Sequence, residues 1–133
     1  MNRHAPRKDR HTISLLSDHI VFTPKYRGAV LTGAVARMCE REIRRTCRKL
    51  DVDILDLSVC SDHVHLFVRY PPKLSASLLA EKIKSNTSRE LRRRFSHLVK
   101  WCSQALWAPG CYHGSVGQGL DVVQQYVRAQ KQG

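Results

Sequence analysis

Apolar and polar residues alternate along residues 62–68, Asp-His-Val-His-Leu-Phe-Val, and this alternation predicts a β-strand. On a strand, Val64 and Leu66 point to one face, while His63 and His65 point to the other. The Cα atoms of the two histidines would lie roughly 6 to 7 Å apart, so both imidazoles could reach one metal ion. Two polar side chains on the solvent face of a sheet would give the same pattern, so the pair alone does not identify a metal site.

Three further strands and three helices are predicted around this histidine strand. The strands span about 12–23, 52–60 and 111–117. The helices span about 32–50, 75–95 and 120–130. The helices are predicted because apolar residues recur there at spacings of three and four. The buried stripes are Val35, Cys39, Ile43, Cys47 and Leu50, then Leu79, Ile83, Thr87, Leu91 and Phe95, and finally Leu120, Val123 and Val127.

Local signals fix several of the connections between these elements. Ser61 and Asp62 leave only a tight connection before the histidine strand, which predicts an antiparallel hairpin with the strand over 52–60. Ser75 or Ser77 is the expected N-cap of the second helix. His19 lies inside the first strand, where a lone histidine is more often packed or hydrogen-bonded than a metal ligand.

Length and composition favour one basic domain over residues 1–133. The chain has 133 residues with 23 Lys and Arg against 11 Asp and Glu, a formal net charge of +12. A small domain this basic is typical of proteins that bind a polyanion, with nucleic acid before an acidic membrane surface. No apolar run is long enough to span a bilayer. Residues 1–11 are expected to form a flexible basic arm.

The cysteines indicate a reducing compartment. There are five of them, an odd count without a Cys-x-x-Cys pair, so a disulfide framework is not expected. The N-terminus also lacks the apolar segment of a signal peptide. We therefore predict a cytoplasmic protein.

Two stretches combine positive charge with groups that suit a nucleic acid. Lys25 and Arg27 flank Tyr26, which fits a phosphate with a base stacked nearby, although a solvated turn fits equally well. On the helix over 75–95, Lys84 and Arg89 stand among small polar residues that would let a backbone approach closely.

Tyr126 and Gln130 lie four residues apart on the last predicted helix and therefore share a face. Tyrosine is a poor nucleophile at its ordinary pKa of about 10, but a metal that polarises a target phosphate makes it useful. The glutamine carbonyl oxygen can bind a metal. A half-buried aromatic residue beside the apolar stripe would explain Tyr126 equally well.

Together these motifs resemble the single-tyrosine HUH transposases of the insertion sequence 200/605 family. The resemblance runs from about residue 19 to residue 130. It rests on Pro24-Lys25-Tyr26-Arg27, Asp62-His63-Val64-His65-Leu66, Pro71-Pro72, Lys84 with Ser88, Leu106-Trp107, Tyr112 with Val116-Gly117, and Tyr126 with Gln130. Several ordered motifs with matching gaps are far more specific than the histidine pair.

The resemblance implies an α+β fold of the RRM-like or ferredoxin-like HUH type, with helices packed on an antiparallel sheet. It also implies a homodimer, in which the tyrosine helix over about 120–131 is often swapped between protomers. His63, His65 and Gln130 would bind Mg²⁺ or Mn²⁺, and Tyr126 would be the nucleophile.

The implied reaction is the cleavage and rejoining of single-stranded DNA at hairpins of the element ends. In the family the tyrosine keeps the 5′-phosphate and releases a 3′-OH. Lys25, Arg27, Lys84 and Arg89 are the expected DNA contacts. The expected location is the prokaryotic cytoplasm, at the nucleoid during transposition.

Two alternatives remain open on the sequence. The first is a module that binds single-stranded DNA or RNA hairpins without cutting them. The second is a zinc site built from His63, His65, Cys111 and His113. Either alternative would leave Tyr126 and Gln130 without a role.

Overall fold

Strand β3 (His63–Tyr70) occupies an inner position of the sheet. Every second residue of this strand is buried. Val64, Leu66 and Val68 are fully buried on one face, while His63 and His65 on the other face are partly exposed. The computed structural model describes residues 15–114 and 126–130. The expectations for residues 1–14, including the basic arm, and for residues 115–125 therefore fall outside the described part of the chain.

The sheet has four strands in the order β2-β3-β1-β4. The other strands are β1 (Leu16–Phe22), β2 (Asp53–Cys60) and β4 (Tyr112–Gly114). All of the neighbouring pairs are antiparallel, including the predicted hairpin between β2 and β3. The predicted α+β class with an antiparallel sheet is confirmed.

Three helices and one short turn complete the described elements up to residue 114. The helices are α1 (Gly33–Lys49), α2 (Ala76–Arg94) and α3 (Ser96–Trp101), and a 3₁₀ turn covers Lys25–Arg27. Residues 126–130 are also helical. The first two helices match their predicted spans, and Ser75 is the N-cap of α2, since its side chain accepts a hydrogen bond from the Leu78 amide.

The core lies between one face of the sheet and the helices α1 and α2. Both predicted helix stripes enter it, except that Leu50 and Phe95 are only partly buried at the helix ends. The fully buried members with the largest side chains include Ile20, Phe22, Leu31, Ile43, Leu66, Leu79, Ile83, Leu91, Leu98 and Leu106. Because α1 and α2 cover this face of the sheet, they leave the opposite face of β3, which carries His63 and His65, uncovered.

Strand β2 carries an irregularity that keeps its apolar residues on the core side. Ile54 pairs with Val68 and Leu57 pairs with Leu66, although residues three apart on a regular strand would face opposite sides. The register shift between Ile54 and Asp56 absorbs the extra residue. As a result both apolar side chains pack against the core.

The segment after α3 is tied to α2 by a buried polar contact. The Trp107 indole N–H donates to the Thr87 hydroxyl at 2.9 Å, and that hydroxyl donates to the Ile83 carbonyl at 2.8 Å. The Trp107 ring also meets Phe22 edge to face, with ring centroids 4.7 Å apart. This contact positions the chain that leads into β4.

We expect Thr87→Val to lower the free energy of unfolding by about 1–3 kcal/mol, because the buried Trp107 N–H would lose its acceptor while the side-chain shape is kept. Urea unfolding followed by tryptophan fluorescence measures this. Ser85→Ala, an exposed change on the same helix, should shift it by less than about 0.5 kcal/mol. Equal stabilities of Thr87→Val and the parent would contradict the role of this hydrogen bond.

Candidate metal and nucleic-acid site

The face of the sheet opposite α1 and α2 carries the predicted chemistry. His63, His65 and Phe67 share this face of β3 because they alternate with the buried residues. In the antiparallel register, His65 is opposite Val21 of β1, and Val21 is opposite Tyr112 of β4. Laterally paired residues lie on the same face, so a row from His65 through Val21 to Tyr112 crosses three strands.

His63 is held by a carboxylate. Its Nδ1 lies 2.9 Å from Oδ1 of Asp62, and the other carboxylate oxygen accepts a hydrogen bond from Arg27 Nε at 2.7 Å. Burial by itself raises the pKa of Asp62, but the hydrogen bonds and charges of His63 and Arg27 outweigh it. The pKa therefore lies below its ordinary value of 3.8.

His65 has a neighbour that the sequence could not identify. Its Nε2 lies 3.1 Å from Nδ1 of His19, whose ring stacks on Phe67 with centroids 4.5 Å apart. Burial and the nearby His19 both lower the pKa of His65, so His65 is neutral at pH 7, the form that binds metals. His19 is thus hydrogen-bonded, as its isolated position in the strand suggested, but its partner depends on β1 lying beside β3.

Tyr126 lies beside this face. Its ring centroid is 6.1 Å from that of Tyr112, which ends the row that begins at His65. With strands spaced about 4.8 Å apart, Tyr112 lies roughly 10 Å from His65 along the row. Burial, and then the charge of Cys111, raise the pKa of Tyr126 to about 12. Tyr126 is therefore protonated at neutral pH.

The phenolic oxygens of Tyr112 and Tyr126 are both buried without a hydrogen-bond partner among the residues that the structure describes. Buried hydroxyl groups normally have a partner in the protein, in water or in a ligand. Each of these oxygens would be stabilised by a polar group from outside residues 15–114 and 126–130.

Gln130 is half-buried and follows Tyr126 by four residues in the helical segment 126–130. Within the described parts of the chain, no three His, Cys, Asp or Glu side chains cluster closely enough to hold a metal ion. A cation at this face would therefore have two imidazoles as its nitrogen ligands, with oxygen ligands from elsewhere.

The predicted DNA contacts fall into different environments. Lys84 Nζ donates to the carbonyls of Ala108 and Gly110 at 2.7 and 2.6 Å, and burial lowers its pKa. Arg89 donates to Asn86 on the exposed side of α2. The ammonium group of Lys84, which the sequence suggested as a DNA contact, therefore binds the backbone of the turn before β4.

The side chains of the turn over Lys25–Arg27 have different surroundings. Lys25 Nζ lies 5.5 Å from the centroid of the Tyr26 ring, which is 61% exposed. Arg27, in contrast, is turned toward Asp62. The exposed Tyr26 ring and the partly exposed Lys25 keep the surface that suits a stacked base and a phosphate, whereas Arg27 is engaged within the protein.

The four-residue zinc site is not formed. His113 is opposite Ile20 of β1, a core-facing residue, and its Nε2 lies 3.3 Å from the Ser77 hydroxyl of α2. His113 therefore points to the helix side of the sheet, away from His63 and His65. The sequence did not reveal this because the register of β4 was unknown.

A family model described as IS200-like transposase matches residues 12–130. The chain belongs to the IS200-like transposase family. The predicted membership of the insertion sequence 200/605 family is confirmed. The transposase for insertion sequence element IS200 of Salmonella typhimurium strain LT2 is 34% identical over 113 residues, which cover 84% of this chain and 74% of that protein.

Two relatives from Deinococcus radiodurans extend the comparison. The ISDra2 transposase TnpA is 25% identical over 126 residues, covering 93% of this chain and 90% of its own. A crystal structure of an R1-strain protein assigned as a transposase superimposes with a TM-score of 0.81 and 26% identity, over 88% of this chain and 92% of that one. The IS200-like transposase fold therefore extends over most of this chain.

A more distant structure shares the fold alone. The REP-associated tyrosine transposase bound to a REP hairpin superimposes with a TM-score of 0.56 and 16% identity, over 88% of this chain and 68% of that one. Among the described residues of our transposase, no helix is long and apolar enough to cross a membrane.

The lowered pKa of Asp62 predicts an acid-dependent loss of stability. A carboxylate whose pKa is lower in the folded than in the unfolded state stabilises the fold above the unfolded value, near 3.8, and this contribution disappears as the pH falls through the folded value. Relative to Asp62→Asn, the parent should be more stable by about 1 kcal/mol at pH 7 and equally stable near pH 2.

Urea unfolding at both pH values measures this difference. Glu81→Gln, which removes an exposed carboxylate from α2, serves as the matched control and should show little change at either pH. A stability difference between Asp62→Asn and the parent that stays constant from pH 7 to pH 2 would contradict the assignment.

Proposed function

We propose that this transposase cleaves and rejoins single-stranded DNA at hairpins of insertion-sequence ends, with Tyr126 as nucleophile and a divalent cation bound by His63, His65 and Gln130. The observation that carries the proposal is the row of paired residues from His65 to Tyr112, with Tyr126 beside Tyr112 at its far end. The contact of Tyr126 with Tyr112 at the face that carries His63 and His65 supports a shared site.

The residues of this face fit a cation. Asp62 occupies Nδ1 of His63, which leaves Nε2 for a metal. Nδ1 of His65 would be left for a metal when Nε2–H of His65 donates to Nδ1 of His19. The amide oxygen of Gln130, phosphate oxygens and water would complete the set. Two imidazoles with oxygen ligands suit Mn²⁺ better than Mg²⁺, so we expect Mn²⁺ to bind more tightly in the absence of DNA. Such a cation polarises the phosphate and stabilises negative charge on the reacting oxygens.

The covalent chemistry belongs to Tyr126. Its phenolic oxygen loses its proton and attacks the phosphorus, the bond from phosphorus to the 3′ oxygen breaks, and the 3′ oxygen takes up a proton, so that no net proton is released. The 5′-phosphate stays on Tyr126 as a phosphotyrosine. Attack by a 3′-OH reverses the step and restores a phosphodiester, so that no nucleotide cofactor is needed for rejoining.

Binding of the DNA is proposed for the basic and aromatic surface beside this face. Lys25 offers a partly exposed cation and Tyr26 an exposed ring, and Arg89 is exposed on α2. The solved hairpin complex of the REP-associated tyrosine transposase supports a hairpin as the ligand class, through the shared fold. Lys84 and Arg27 would then help mainly by holding neighbouring backbone and side chains in place.

We expect a covalent adduct when the protein is mixed with single-stranded oligonucleotides that carry the element ends and Mn²⁺. A denaturing gel would show a DNA-shifted band that EDTA abolishes and that Tyr126→Phe lacks, because the attacking oxygen is gone. Tyr112→Phe removes the neighbouring buried phenol and is the matched control, which should keep the adduct. Tight hairpin binding without any adduct would place the protein among non-catalytic hairpin-binding modules instead.

The position of Tyr126 against Tyr112 of the same chain supports a site completed in cis. The family resemblance implies a homodimer, which we include in the proposal. In this dimer, each chain would supply Tyr126 to its own site. Residues 115–125, which link the two tyrosines, lie outside the described chain.

Mixed dimers test this arrangement. His63→Ala and Tyr126→Phe chains, co-expressed with different tags and purified through both, should form no adduct, because each chain carries one defect. Exchange of the tyrosine helix would instead rebuild one intact site and restore adduct to about half of the parental level. A dual-tagged dimer of two parental chains serves as the positive control.

A further inference from the structure

Three side chains form a continuous chain that ends at His63. The Arg27 guanidinium donates to Oδ2 of Asp62 at 2.7 Å, and Oδ1 of Asp62 lies 2.9 Å from Nδ1 of His63. Each carboxylate oxygen thus has one partner. The three side chains are between 24% and 26% exposed, so they are partly shielded from solvent.

The backbone that delivers Arg27 is unusual. Tyr26 and Arg27 have φ angles of 59° and 53°, the left-handed region that residues other than glycine adopt only at a cost. The amide of Arg27 donates to the Pro24 carbonyl at 2.8 Å, and the amide of Lys25 donates to the Leu106 carbonyl at 2.8 Å. The turn is therefore held in this shape by surrounding backbone, and the shape aims Arg27 at Asp62.

A second contact joins the same two segments. The Leu31 amide donates to the Ser61 carbonyl at 3.0 Å, one residue before Asp62. Gly28 packs so closely on Trp101 that an added Cβ would lie 2.5 Å from its ring. The segment from the 3₁₀ turn to α1 is thus fixed against the β2–β3 turn at Ser61 and against α3 at Trp101.

This arrangement determines which nitrogen of His63 carries the proton. An ionised carboxylate only accepts hydrogen bonds, so Nδ1 of His63 must be the donor to Asp62. The lone pair of the neutral ring then lies on Nε2. Carboxylates that orient a metal-binding histidine in this way fix its tautomer and the direction of its free nitrogen.

We propose that Asp62 and Arg27 are positioning residues that hold His63 as the Nδ1–H tautomer with Nε2 directed at the cation. The inference rests on the proposed function for its metal, but not for the tautomer. It gives Arg27 a role different from the DNA contact that its charge suggested. The Arg27 side chain then connects the strained turn over Lys25–Arg27, with its exposed Tyr26 ring, to Asp62 and His63 of the proposed metal site.

The first measurement is made on the metal-free protein. Nitrogen-15 NMR of the histidine rings at pH 8 should show His63 with a protonated Nδ1 in the parent. In Asp62→Ala, and to a smaller extent in Arg27→Gln, the His63 signals should move to the Nε2–H tautomer or to a mixture. Arg44→Gln removes a guanidinium from an exposed ion pair with Glu40 on α1 and should leave the His63 signals unchanged.

The second measurement is Mn²⁺ binding by calorimetry without DNA. Asp62→Ala should weaken Mn²⁺ binding about 10- to 100-fold, Arg27→Gln by a smaller factor, and Arg44→Gln not at all. His63→Ala gives the value expected when the ligand itself is removed. Circular dichroism confirms folding, and Asp62→Leu, which also lacks an acceptor for the His63 N–H, replaces Asp62→Ala if the latter does not fold.

The outcomes separate this inference from the proposed function. An unchanged His63 tautomer in Asp62→Ala or Asp62→Leu would overturn the positioning role, whatever the metal does. If the parent binds no Mn²⁺, the metal assignment in the proposed function fails, while the tautomer still decides whether Asp62 and Arg27 position the ring. Parental Mn²⁺ affinity in both Asp62 variants would likewise overturn the inference.

Discussion

The pairing of β1 with β3 is the constraint on which the other features depend. It places Ile20 opposite Leu66 on the core face and Val21 opposite His65 on the other face. A slip of one residue would exchange the faces, burying the histidines beneath α1 and α2 and exposing the apolar residues. Since Ile20 and Leu66 are fully buried, the hydrophobic effect that forms the core also fixes the direction of the histidines.

The same pairing explains which parts of the molecule the sequence could predict. The spans of the first two helices, the β2–β3 hairpin and the Ser75 cap follow from residues close together in the chain, and these predictions are confirmed. The pairing of His19 with His65 and the direction of His113 depend on strands that are distant in sequence. Alternation assigns side chains to two faces, but only the register shows which face of one strand meets which face of the next.

Net charge was informative about the class of ligand but not about which residues contact it. The chain carries a formal charge of +12, yet several of its cations serve the fold. Lys84 binds two backbone carbonyls, Arg92 donates to the Ser103 carbonyl and Arg27 binds Asp62. Composition cannot separate such structural cations from free ones, because both kinds are equally charged in the sequence. The two kinds of cation can be distinguished only in the structure, which shows which Lys and Arg side chains bind groups of the protein itself.

The burial of Tyr126 bears directly on the proposed chemistry. With a pKa of about 12, on the order of one Tyr126 in 10⁵ is ionised at pH 7. Such a phenol reacts with a phosphate only when other groups stabilise the charge that develops. The phenolic oxygen of Tyr126 lacks a partner among the described residues, so it can still bind an incoming polar group. In the proposed mechanism, burial would keep Tyr126 unreactive until the substrate and the cation are bound at the histidine face, which would limit cleavage to a correctly bound strand.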